Sequence, residues 1–144
     1  MTVAVDVVLS AFHAVEERDE QALARLYHPQ IEFCWPESLP YGPSRREHDM
    51  LAAGGRTWAQ AWDPFQGADE RKMDPRVVAA SEDEVVVLWQ QRGRGADGQY
   101  FDMPVLGLYS VRDGKLARAQ MFYFDTVPVL EFLNTARPAT APGP

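Results

Sequence analysis

The sequence predicts an α+β fold: three helices packed on the concave side of a curled antiparallel sheet, followed by a short closing helix. Three observations predict it. Apolar residues recur at helical spacing through the first part of the chain, broken by one short β-rich run. From Val85 to Asp125, three runs rich in β-branched and aromatic residues follow one another across two glycine turns, the pattern of a meander. The last run is uncharged on both alternating faces, with Gln120, Phe122 and Phe124 on one and Ala119, Met121 and Tyr123 on the other. Such a strand must be covered on both sides, either by helices and a ligand cavity or by a partner subunit.

Val5, Val8, Leu9, Phe12 and Val15 form the buried stripe of a first helix that ends in solvent at Glu16, Glu17 and Arg18. Asp19 caps a second, Glu20 to Tyr27, stopped by Pro29. Ile31 to Trp35 is a short strand. Pro36, Pro40, Gly42 and Pro43 stiffen the loop after it, and Ser44 caps a third helix running to about Trp62. Met50, Gly54, Trp58 and Trp62 recur four apart along that helix, giving one face for the sheet, with Gly54 allowing close approach. Asp69 to Lys72 is a charged, solvated link to a strand near Pro75 to Ala80. The meander strands are Val85 to Arg92, Gln99 to Val111 and Lys115 to Asp125, the last two joined by a tight Asp113-Gly114 turn. Val127-Pro128 opens the final helix to about Leu133. Residues 1–135 are one domain, and the Pro/Ala-rich stretch 136–144 is expected to be a disordered tail.

A net charge of −7 and a pI near 4.9 argue against nucleic acid, because phosphate binding needs a basic stripe and the arginines here are interspersed with acids. Cys34 is the only cysteine, so no intrachain disulfide can form. No basic leader and no membrane-spanning run is evident, so the expected location is the cytoplasm, with no membrane partner. His13, His28 and His48 stand apart from one another and from acids at ligand spacing, so neither a metal nor another cofactor is expected.

The order helix, helix, short strand, proline loop, long helix, curled sheet resembles the nuclear transport factor 2-like fold, and its SnoaL-like branch in particular. Phe33-Cys34-Trp35-Pro36-Glu37-Ser38-Leu39-Pro40-Tyr41-Gly42 looks like that branch's strand and loop before the long helix. Asp102-Met103-Pro104-Val105, Val111-Arg112-Asp113-Gly114-Lys115 and Tyr123-Phe124-Asp125-Thr126 look like its closing hairpin. The resemblance implies a cone-shaped homodimer with a deep apolar pocket for a small molecule. It also implies reactions such as cyclisation, isomerisation or hydration. The family's known acid/base sets do not carry over. Ketosteroid isomerases of this fold place a tyrosine and two aspartates where this chain has Ala11, Trp35 and Gly107. Limonene-epoxide hydrolases place their Arg and Asp residues where it has Leu88, Gln90 and Phe122.

The remaining candidates for acid/base work are Glu37 and Tyr41 on the proline loop, His48 near the start of the long helix, and Asp125, whose alternative is a helix cap. One strand register is expected to face the pocket, with Gln90 and Gln120 orienting a ligand carbonyl or hydroxyl, or else pairing structurally. Leu88, Met103, Val105, Phe122 and Phe124 share that register. Trp35, Trp58 and Trp62 offer aromatic surface for a planar ligand, against the plainer reading of core tryptophans. Two functions stay open: an enzyme acting without cofactor on a small, largely apolar metabolite, and a non-catalytic binder of a hydrophobic ligand.

Overall fold

The computed structural model describes residues 3–42 and 54–138. Helix α1 spans Val3–Glu17 and buries Ala4, Val5, Val8, Ala11 and Phe12 on one side. Arg18 ends it in the left-handed region (φ 54°), where Arg18 N–H donates to Val15 O and Asp19 N–H to Ala14 O, the two bonds of a Schellman cap. Glycine usually fills that position. Here the Arg18 side chain compensates, donating to Asp63 Oδ1 at 2.7 Å and Gln66 Oε1 at 2.8 Å. Asp19 then caps α2 (Glu20–Leu26), accepting from Ala22 N–H at 3.1 Å.

Strand β1 runs Tyr27–Cys34, starting well before the expected Ile31. Helix α3 is described over Gly54–Trp62; Ser44, His48 and Met50 lie outside the described residues. Its close approach to β1 falls at Gly55, where a Cβ would stand 2.9 Å from the Phe33 ring. A 3₁₀ turn, Asp63–Phe65, follows. The charged link is in fact a helical turn, α4 (Ala68–Arg71), with Glu70 accepting from Gly67 N–H at 2.8 Å.

Strands β2 (Arg76–Ala80), β3 (Glu84–Arg94), β4 (Tyr100–Arg112) and β5 (Lys115–Tyr123) complete a curled, unclosed sheet of order β1-β5-β4-β3-β2. The expected meander is antiparallel, but β1 joins its edge parallel to β5, so the sheet is mixed. Asp113 (φ 55°) and Gly114 (φ 71°) make the β4–β5 turn with two successive left-handed residues, which matches the strand twist. Register shifts interrupt the β1–β5, β2–β3 and β4–β5 ladders, irregularities of the kind at which strands bend and twist. Helix α5 (Val127–Thr135) packs Phe132 against Trp62 with ring centroids 5.8 Å apart. The chain stays packed beyond residue 135: Ala136 is buried, and Ala96 N–H donates to Arg137 O.

Cross-strand register fixes the two faces. Trp89, Val105 and Tyr123 form one inner row and Val87, Gly107 and Met121 the next, with Val85, Tyr109 and Ala119 beyond. Leu88, Leu106 and Phe122 form an outer row. The register expected to face the pocket puts Met103 and Val105 on the inner face, although neither borders the cavity described below, and it is inverted on β3 and β5. Leu88, Gln90, Gln120 and Phe122 lie on the outer face, and Phe124, just past β5, is 91% exposed. Gln90 sits opposite Pro104 and Gln120 opposite Leu108, so the two amides do not meet. The buried amides among the described residues are instead Gln91, 1% exposed, and Gln66.

Candidate ligand-binding site

A cavity of about 890 Å³ lies between α1, α2, α3 and the inner face of the sheet. That volume falls within the range of small-molecule sites. Its walls follow from the patterns above. Val8, Ala11, Phe12 and Val15 come from the buried stripe of α1, Trp58 from α3, and Trp89, Tyr109, Ala119 and Met121 from three strands. Arg18, Arg56, Asp63 and Arg71 supply charge at its boundary, where Arg18 is held by Asp63 and lies 5.5 Å over the Trp58 ring.

Trp35 and Trp58 stack with planes 3° apart and centroids 6.0 Å apart, and both border the cavity. Trp58 is fixed by donating its Nε1–H to Gln91 Oε1 at 2.7 Å. Tyr123 O–H adds a longer bond to the same oxygen at 3.4 Å. The Tyr41 and Tyr123 hydroxyls are 2.9 Å apart, and Trp62 Nε1–H donates to Tyr41 at 3.2 Å. Three elements, α3, β3 and β5, and the proline loop are thereby tied by one polar chain. Trp62, fully buried against Phe101 and Phe132, belongs to that core and does not border the cavity.

Burial pushes the Tyr41 phenol up to about 12, with its bonds to Tyr123 and Trp62 offsetting part of the rise. Tyr41 is thus a neutral O–H group near pH 7, able to donate a hydrogen bond but not to act as a base. Glu37 points into solvent on the same loop. Asp125 is also exposed and accepts from Val127 N–H at 3.0 Å, tying the start of α5. His48 lies outside the described residues. Cys34 is half-buried beside Gln120 on the outer side of β1. Among the described residues no three His, Cys, Asp or Glu side chains gather in a metal-holding group. No helix there is long and apolar enough to cross a membrane.

Tyr27 and Tyr109, which the sequence did not single out, occupy the cavity wall, together with Trp89, against which its register opposite to Gln90 had counted. Trp89 was legible, because it shares a register with Val85 and Val87. Tyr109 was masked by Gly107, across which its ring lies.

The SnoaL-like domain family matches residues 8–119, most of the chain. The chain belongs to this SnoaL-like family. Among solved structures, the SnoaL-like fold is shared with TerC, crystallised with polyporic acid: TM-score 0.73 and 19% identity over 93% of this chain and 100% of that one. An NTF2-like protein of unknown function from Burkholderia pseudomallei gives 0.73 and 17%, over 94% and 100%. IdmH of Streptomyces antibioticus, a candidate polyketide cyclase, gives 0.67 and 17%, over 92% and 99%. At these identities the likeness is one of fold. No curated protein matches the sequence.

Proposed function

We propose that this SnoaL-like chain holds a small, largely apolar metabolite in the cavity between its helices and sheet, and cyclises, isomerises or hydrates it without a cofactor. The observation that carries the reading is the cavity itself, walled by Phe12, Trp58, Trp89 and Met121 and large enough for a fused-ring compound. Stacking on the fixed Trp35–Trp58 pair would orient a planar ligand. Of the two loop candidates, Tyr41 rather than Glu37 is joined to the interior; it does not border the cavity, so Tyr41 is our candidate positioning residue, holding Tyr123 and, through Gln91, Trp58. A second reading, a catalytically silent binder, is favoured by one specific observation: the sequence positions of the family's known dyads hold Ala11, Trp35 and Gly107.

Mass spectrometry of small molecules released from the purified protein tests the first part. Retention of an apolar metabolite is expected, and Ala11→Phe, which fills the cavity, should abolish it while the circular dichroism spectrum stays native. Retention unchanged in Ala11→Phe would place the ligand elsewhere. If the released compound is turned over by the wild type and roughly tenfold or more slowly by Tyr41→Phe, the enzyme reading stands. Return of the compound unaltered leaves the silent binder.

A further inference from the structure

Arg71 lines the cavity, and its Nε is buried without a hydrogen bond. The chain carries 21 acidic against 14 basic side chains, so acids able to pair a guanidinium are in excess. Other arginines take them. Arg92 holds both Asp74 and Asp102, and Arg18 holds Asp63. The acids nearest Arg71 in the chain are committed elsewhere: Glu70 accepts from Gly67 N–H and pairs with Arg94, and Asp69 pairs with Lys72. Glu16 of α1, which reaches the same segment, accepts from Met73 N–H.

The wall holds a second uncommitted cation. Arg56, exposed on α3, makes no ion pair or side-chain hydrogen bond among the described residues. The two acids of the wall do not answer these charges, since Asp63 is held by Arg18 and Glu20 pairs with no arginine among the described residues. Three arginines thus stand against two acids on a largely apolar wall, in a chain of net charge −7. A guanidinium nitrogen that is out of water and has no acceptor is destabilised. A carboxylate from outside the chain would relieve it, because its two oxygens accept from two guanidinium N–H groups side by side.

We propose that Arg71, assisted by Arg56, is an anion subsite of the cavity, so that the metabolite is an aromatic or polycyclic carboxylate with its rings among Phe12, Trp58 and Met121 and its carboxylate on Arg71. The inference rests on the cavity being a ligand site and adds the charge of the ligand and the residue that reads it. Arg18 stands outside the subsite, fixed over Trp58 by Asp63 and Gln66. A phosphate dianion fits less well, as it would bring a second charge and a third oxygen to a largely apolar wall.

The test compares 2-naphthoate with 2-naphthamide, its neutral counterpart of the same shape, and with 2-ethylnaphthalene. Binding is followed by the methyl NMR signals of Met73 and Met121 on the cavity wall in the full chain. The carboxylate is expected to bind roughly tenfold more tightly than the amide at low salt, with a margin that narrows as salt is raised. Arg71→Gln, or Arg71→Met if the first does not fold, should remove that margin while amide and hydrocarbon binding stay as in the wild type. Arg71→Lys keeps the charge without the planar fork and should retain part of the margin. Equal affinities of carboxylate and amide in the wild type, or a margin that the Arg71 variants leave unchanged, would overturn the anion subsite, with binding of 2-ethylnaphthalene still reporting the cavity as a site. If none of the three compounds perturbs either methionine, the ligand-cavity reading falls and the subsite with it.

Discussion

Gly107 has one of the smallest side chains on the inner sheet face and one of the largest neighbours. A Cβ at this position would fall within the Tyr109 ring, so Gly107→Ala forces that ring off its rotamer. The expected cost is about 1–3 kcal/mol of stability, measured by urea unfolding. Gln91 poses the opposite case, a buried acceptor serving Trp58 and Tyr123. Gln91→Leu should cost about 1–2 kcal/mol, the lower part of the range for orphaned donors, because an unpaired Gln91 Nε2–H disappears with it. The tyrosines set an alkaline limit. Tyr41 ionises near 12 in the folded chain but near 10 when unfolded, so its contribution is complete below pH 10 and is lost as the pH rises through 12. Burial moves Tyr27, Tyr109 and Tyr123 in the same direction. Denaturant midpoints should therefore fall steeply above pH 10, in step with tyrosinate absorbance.

At the level of elements, the longer helices, the turns and the order of the meander strands were legible because each has a local cause. Asp19 caps, Pro29 and Pro64 interrupt, and Asp113-Gly114 turns. Which side of each strand faces inward was harder to read. On β5 both alternating sets are uncharged from Ala119 to Tyr123, and the adjacent Gln90 and Gln91 offered one amide to either face. The deciding signal was further along each register. Glu84 and Arg92 bracket the set containing Gln90, and Arg118 continues the set containing Gln120 and Phe122, whereas Val85, Val87 and Trp89 lead to Gln91. The parallel edge formed by β1 was not legible, since no local pattern reports a partner so distant in sequence. Asp125 belongs to this scale too. Asp125→Ala should lower stability by about 0.5–2 kcal/mol in thermal or urea unfolding, through the lost bond to Val127 N–H, and leave ligand retention unchanged.

For the whole molecule, the outer face of the sheet is the unresolved partner surface predicted from the strand pattern. Leu88, Leu106 and Phe122 run across three strands, with Leu106 38% and Phe122 49% exposed. We propose that a second copy covers this row, since an apolar band centred on a sheet can meet its own two-fold mate. Phe122→Lys should then convert a dimer to a monomer in sedimentation velocity, with the monomer still binding in a cavity that lies on the other face. A wild type that sediments as a monomer at micromolar concentration would remove the proposal.

The β1–β5 pairing has a consequence for how the chain matures. Phe33 finds its place beside Ala119 only after nearly all the intervening chain exists, so a ribosome must expose Ile31 and Phe33 for most of synthesis. Until Lys115–Tyr123 arrives, the part of the wall made by Leu116, Ala119 and Met121 is missing. Truncations ending before β5 should accordingly be found in inclusion bodies rather than as smaller folded domains, and the step that seals the hollow should be among the last in refolding.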